Sequence, residues 1–189
     1  MRTTALEGGF ANPPIEAARA FRAALQAMAR PGRIQRITGA EPPAPLSVAA
    51  GTLALTLFDA DTPVFLAASH DLPSVRDWIT FHTGAPFASR EQAAFAIGTW
   101  DALLPLDSFP VGTTEYPDRS ASLIIERESL DSKGARLSGP GIETTILLAL
   151  PELAAFQRNA ALFPLGLDFF FTARERVAAL PRTTKVEAP

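Results

Sequence analysis

Residues 167–172 read Leu-Asp-Phe-Phe-Phe-Thr. Successive side chains of a strand point to opposite faces, so three consecutive phenylalanines place large apolar groups on both sides of it. A strand of that kind needs cover above and below and does not suit a sheet with one wet face. The run restricts the chain to layered folds in which a sheet is sandwiched. Val-Phe-Leu-Ala at 64–67 and Leu-Ile-Ile at 123–125 carry the same signature, and a further short strand is expected at 93–98.

Helical spacing separates these runs. Ile15, Ala18, Arg22, Leu25 and Met28 recur at intervals of three and four, with Phe21 beside them, after Asn12-Pro13-Pro14 and before Pro31-Gly32. Residues 41–45 form a stiff polyproline-like connection. Residues 46–58 read as a largely buried helix, with Leu53 and Leu57 one turn apart, that ends at 59–63. Residues 71–82 are amphipathic, with Pro73 near the start and Val75, Trp78, Ile79 and His82 on one face. A turn at 131–134 allows 136–138 to pair with 123–125. Residues 146–150 fit strand or helix, 151–161 read as helix, and the tail beyond Leu180 as extended. Strands thus alternate with helices. The expected fold is α/β: a single domain over 1–189, with a mixed, mostly parallel sheet and helices on both faces.

Composition narrows the functional classes. With 189 residues, 47% of them hydrophobic, the chain can bury one real core. A net charge of −3 without a long basic block speaks against nucleic acid as a partner. No apolar run is long enough to cross a bilayer, and no basic amphipathic stripe suits a membrane surface. The first ten residues lack the apolar core of a signal peptide. Cysteine is absent, which removes disulfides, thiolate metal sites and thiol nucleophiles together. Cytoplasmic residence is the simplest reading.

Four segments join rigid backbone punctuation to polar or cationic side chains: Pro31-Gly32-Arg33, residues 112–122, Gly139-Pro140-Gly141-Ile142 and residues 180–184. Loops that carry many hydrogen-bonding groups on a rigid scaffold are where binding chemistry concentrates. The richest is 112–122, where Glu115, Tyr116, Asp118 and Arg119 could hold a ribose hydroxyl, a phosphate or a partner subunit, or could brace the loop before the strand. Arg33 follows a Pro-Gly corner that would aim its guanidinium at an anion, or it is a solvated surface arginine. His82 has a side chain that titrates near neutrality, and equally suits the C-terminal turn of a helix. Asp59-x-Asp61 could ligate a divalent cation, but the pattern suits an ordinary turn cap better. Gly139-Pro140-Gly141 reads as a tight turn before an anion nest. There is no glycine-rich dinucleotide fingerprint, no phosphate loop and no serine nucleophile elbow. With two histidines and no cysteine, no metal site is indicated.

The marks fall in an order that resembles the PhnH family, a subunit of the bacterial carbon–phosphorus lyase system of phosphonate metabolism. They are Gly9-Phe10, Phe21-Arg22, Met28-Ala29-Arg30-Pro31-Gly32-Arg33, Asp61-Thr62-Pro63 and Phe81-His82-Thr83-Gly84. Gly112-Thr113-Thr114-Glu115-Tyr116-Pro117-Asp118-Arg119-Ser120-Ala121 follows, then Leu137-Ser138-Gly139-Pro140-Gly141-Ile142, Phe163-Pro164-Leu165-Gly166-Leu167-Asp168 and Leu180-Pro181-Arg182-Thr183-Thr184. Asn12 stands before Pro13 where the family more often has an acid.

The resemblance implies a fold like the large domain of pyridoxal-phosphate (PLP) transferases, a homodimer, and loss of that cofactor. It further implies assembly with PhnG, PhnI and PhnJ subunits. The assembly displaces adenine from ATP to join its ribose triphosphate to an organophosphonate, giving ribose 1-methylphosphonate 5-triphosphate. The chain's own contribution is then that of a subunit, with Arg33, His82, Glu115, Tyr116, Asp118, Arg119 and Arg182 as substrate- or partner-binding residues. A different reading is a free-standing nucleotide- or sugar-phosphate-binding enzyme using Glu115, Asp118 or His82 as acid or base. A third is a structural module whose polar loops make protein contacts alone.

Overall fold

The computed structural model describes residues 6–189; the signal-peptide reading rests partly on residues outside that range. The chain opens with α1 (Pro13–Ala29), the short β1 (Gln35–Arg36) and α2 (Val48–Leu57). Next come β2 (Val64–Leu66), α3 (Pro73–Thr83), β3 (Phe95–Thr99), α4 (Trp100–Leu103) and β4 (Ser122–Glu126). The second half holds β5 (Ala135–Ser138), β6 (Ile146–Leu148), α5 (Leu153–Ala160), β7 (Asp168–Ala173), β8 (Arg176–Leu180) and β9 (Lys185–Glu187).

Six strands form one sheet in the order β1-β8-β7-β4-β3-β2. β2, β3, β4 and β7 run parallel, and the β7–β8 and β8–β1 pairs are antiparallel. β4 and β7 lie at the centre in register, with Leu123 beside Phe169, Ile124 beside Phe170 and Ile125 beside Phe171. Alternate side chains feed two cores. Ile97, Ile124, Phe170 and Val177 pack beneath α1–α3 against Leu53, Val75 and Trp78. Leu123, Ile125, Phe169 and Phe171 enter the other core with Trp100, Leu103 and Phe156. Phe156 lies at 4.9 Å ring-centre separation from both Trp100 and Phe169, an aromatic column suited to this width of core.

The second face departs from the expectation of helices alone. β6-β5-β9 form a separate three-stranded sheet that covers it together with α4 and α5. Residues 136–138 therefore do not pair with 123–125; β5 pairs antiparallel with β6 and β9. The pattern explains this. β4 is buried on both faces with both neighbours taken, whereas Ala135, Arg136 and Leu137 alternate buried, exposed and buried, as a one-sided sheet requires.

α1 uses a different face from the one its large apolar residues suggest. Ala20, Ala24 and Ala27 are buried, while Ile15, Phe21 and Leu25 are 49%, 54% and 52% exposed. Small side chains let the helix backbone approach the sheet and α2 closely, and the periodic stripe at 15, 18, 22 and 25 looks outward. Pro14 in the first turn and Arg30 beyond the last one bracket the helix. Among the described residues, no helix is long and apolar enough to cross a membrane.

Candidate functional site

The segments singled out in the sequence gather at the edge of the sheet where the parallel strands begin. Asp168 opens β7, and Arg182 lies just beyond the end of antiparallel β8, so the pairing of Phe169 with Leu180 brings the two together. The backbone N–H of Arg182 donates to Asp168 Oδ1 at 2.8 Å, and its Nε donates to the same oxygen at 3.2 Å. Nη2 donates to Asp168 Oδ2 and Ser120 Oγ, and Nη1 to the Pro117 carbonyl at 2.7 Å. The two side chains are only 13% and 22% exposed. Arg182 is thus spent on internal bracing, fixing 112–120 against the first residue of β7.

That loop closes on itself. Gly112 adopts φ +84°, and a Cβ there would lie 2.7 Å from the Pro117 carbonyl oxygen, so the close approach requires glycine. Thr113 and Tyr116 exchange backbone hydrogen bonds of 3.1 Å in both directions, and Arg119 N donates to Tyr116 O at 3.2 Å. The tip presents Glu115, Tyr116, Asp118 and Arg119 to solvent. The Arg119 guanidinium covers the Tyr116 ring at 4.0 Å from its centre. Among the described residues, the Glu115 and Asp118 carboxylates have no side-chain hydrogen-bond or ion-pair partner within the chain.

Two cavities flank this edge. The larger, of about 500 Å3, opens between α5 and residues 104–111, with Leu106, Val111, Ala155, Leu162 and Leu167 as its apolar lining. It adjoins the clamped loop through the hydrogen bond from Gly166 N to Val111 O, 3.0 Å. The smaller, of about 140 Å3, lies between Pro31-Arg33 and residues 141–146. Gly139 connects the two regions, because a Cβ on it would stand 3.2 Å from the Thr183 carbonyl.

His82 does not join this group. It lies in the last turn of α3 with its ring 4.9 Å from Trp78 and 5.0 Å from Phe81, and Gly9 packs on its edge. Among the described residues, its Nε2 is buried without a hydrogen-bond partner. Gly84 at φ +70° terminates the helix behind it. Asp59 is a turn cap, its Oδ1 accepting from Thr62 Oγ1 at 2.6 Å and Asp61 N at 3.0 Å. These contacts hold the Asp59 carboxyl below its ordinary range. Among the described residues, no three His, Asp or Glu side chains converge as a metal-binding group.

The opposite edge, where the parallel strands end, holds polar groups that sequence reasoning passed over. Glu126 at the end of β4 accepts from Ser47 N at 2.6 Å and Thr172 Oγ1 at 3.0 Å, and burial raises its pKa. Ser47 is the N-cap of α2, so the carboxylate secures the start of that helix. His70, 2% exposed, has Nδ1 2.9 Å from Ser69 Oγ, which accepts from Thr99 N at 3.1 Å. Burial lowers the His70 pKa, opposed by the Pro45 carbonyl. A final Glu on an apolar strand was the available signal for Glu126; for His70 no local pattern announces burial.

A family model described as bacterial phosphonate metabolism protein (PhnH) matches residues 8–187. The chain belongs to the PhnH family. One relative within it, the alpha-D-ribose 1-methylphosphonate 5-triphosphate synthase subunit PhnH of Rhizobium meliloti (strain 1021), is 46% identical over 189 residues, 95% of this chain and 94% of the relative. The putative C-P lyase subunit protein HtxG of Stutzerimonas stutzeri is 31% identical over 199 residues, 95% of each chain. The PhnH match covers both edges of the sheet and every loop of the amino-edge cluster.

Proposed function

We propose that this chain is a non-cofactor-bearing subunit of a carbon–phosphorus lyase core complex. In that setting it supports transfer of ATP-derived ribose triphosphate to an organophosphonate, alongside PhnG, PhnI and PhnJ subunits. Support comes from the two relatives, both described as subunits, and from one structural observation. The loop at 112–120 is clamped from beneath by Arg182 while Glu115, Tyr116, Asp118 and Arg119 stay exposed at its tip. A rigid loop with free charges and a stacked aromatic is pre-organised for a partner surface, because little entropy is lost on docking. Arg33, near the end of β8, serves as a ligand-binding group.

The three-layer arrangement supports the likeness to the large domain of PLP transferases. The lysines do not fit that cofactor: Lys133 lies in an exposed turn 3.8 Å from Asp131, and Lys185 is exposed on β9. Neither offers the buried amine that a Schiff base requires. A homodimer is supported by α1, whose outward residues 15, 18, 22 and 25 follow the three-four alternation of a helix–helix seam. A two-fold contact brings the same stripe of both copies together, so its apolar residues Ile15 and Leu25 would cover one another.

Co-expression with the other subunits tests the proposal. Arg119→Glu should reduce recovery of the assembled complex while the isolated chain keeps its fold. A chain that converted ATP and methylphosphonate unaided would refute the subunit reading.

A further inference from the structure

The cavity of about 140 Å3 beside Arg33 combines features that point to a ligand class. Each of its walls is anchored at one point. Gly32 N donates to the Ala179 carbonyl at 3.1 Å, anchoring the Pro31-Gly32-Arg33 corner to the end of β8. Gly141, at φ +81°, presses so close to Ala29 that a Cβ would stand 2.0 Å from its carbonyl oxygen.

Its lining is polar and carries both charges. Arg33 and Glu143 face the same space, yet no ion pair forms between them, and neither side chain has a hydrogen-bond partner among the described residues. Thr144 and Thr145 add two hydroxyls. A guanidinium with adjacent hydroxyl donors suits a tetrahedral or planar oxyanion. The same space also holds a carboxylate, which disfavours a bare dianion and suits an ammonium group. At about 140 Å3 it is less than a third the size of the cavity beside α5, which suits a compact molecule.

We propose that this cavity binds a short zwitterion, an oxyanion joined to an ammonium through a two- or three-carbon arm. The oxyanion engages Arg33, Thr144 and Thr145, and the ammonium engages Glu143. The inference rests on the reading of Arg33 as a ligand-binding group and gives that ligand its chemical class. A phosphonate and a carboxylate zwitterion share this chemistry.

Calorimetric titration of the isolated full chain separates the cases, with 2-aminoethylphosphonate, β-alanine, methylphosphonate and ethylamine as probes. 2-Aminoethylphosphonate should bind about tenfold more tightly than methylphosphonate, since a charge-assisted hydrogen bond contributes about that much. Binding of 2-aminoethylphosphonate above β-alanine identifies the phosphonate source, and the reverse identifies the carboxylate source. Glu143→Gln should weaken the zwitterion about tenfold without weakening methylphosphonate. Arg33→Gln should abolish binding of both. Both side chains are exposed, so circular dichroism should show the variants folded. Silence with all four probes, or equal affinity for 2-aminoethylphosphonate and methylphosphonate, would overturn the proposal. Co-purification scored in parallel keeps the two readings apart: intact assembly without zwitterion binding sinks this inference alone, and binding without assembly sinks only the subunit role.

Discussion

Arg182 clasps Asp168 through its backbone N–H and two sides of its guanidinium, and with the remaining contacts it holds Pro117 and Ser120. One arginine beyond β8 thus sets the position of a loop more than sixty residues earlier in the chain. Breaking a largely buried ion pair from one side leaves an uncompensated charge. Arg182→Met should therefore lower stability by about 2–3 kcal/mol in urea unfolding, allowing for the partial exposure of the pair. Adding Asp168→Asn to that variant should cost much less than Asp168→Asn alone, the signature of coupled residues.

Gly141 and Gly134 both adopt left-handed backbone, at φ +81° and +86°, and differ in what surrounds them. A Cβ at Gly134 meets nothing within 3.6 Å, whereas one at Gly141 meets the Ala29 carbonyl at 2.0 Å. Gly134→Ala should cost about 1 kcal/mol, the conformational penalty alone. Gly141→Ala should cost about 3 kcal/mol or more, because strain is added to it. Thermal unfolding of the two variants checks the ranking.

Glu126 and His70, both at the carboxyl edge, make stability depend on pH with opposite signs. Burial raises the Glu126 pKa in the folded state, so the native protein holds a proton that the unfolded chain has released. Stability should then fall as pH rises from the ordinary glutamate range through the raised value. Glu126→Gln should remove this slope in denaturant titrations at stepped pH.

For His70, burial lowers the folded pKa, so the unfolded chain takes up a proton that the native state refuses. Stability should fall as pH drops below the ordinary histidine value towards the lowered one. His70→Asn, which keeps an acceptor for Ser69, should flatten that part of the profile. A wild-type slope unchanged by the substitution would place the titrating group elsewhere.

Much of the layered fold was legible because apolar runs such as 123–125 and 169–171 leave few places to go. The outward stripe of α1 was legible as a stripe, but not its direction. Periodicity shows two faces, and the alanine face won because it permits closer packing. β8 escaped notice because Val177-Ala178-Ala179 has neither alternation nor bulk. The polar residues of the candidate site were visible one by one. Their division of labour was not, since only the fold reveals that Arg182 has Asp168 as its partner while Arg119, among the described residues, has none beyond the Tyr116 ring.

Recovery of the assembled complex after co-expression with PhnG, PhnI and PhnJ decides whether the clamped loop is a docking element. Wild-type chain should co-purify, Arg119→Glu should co-purify poorly, and both should show the same unfolding midpoint in isolation. Undiminished recovery of Arg119→Glu and of Tyr116→Ala would contradict the role given to the loop.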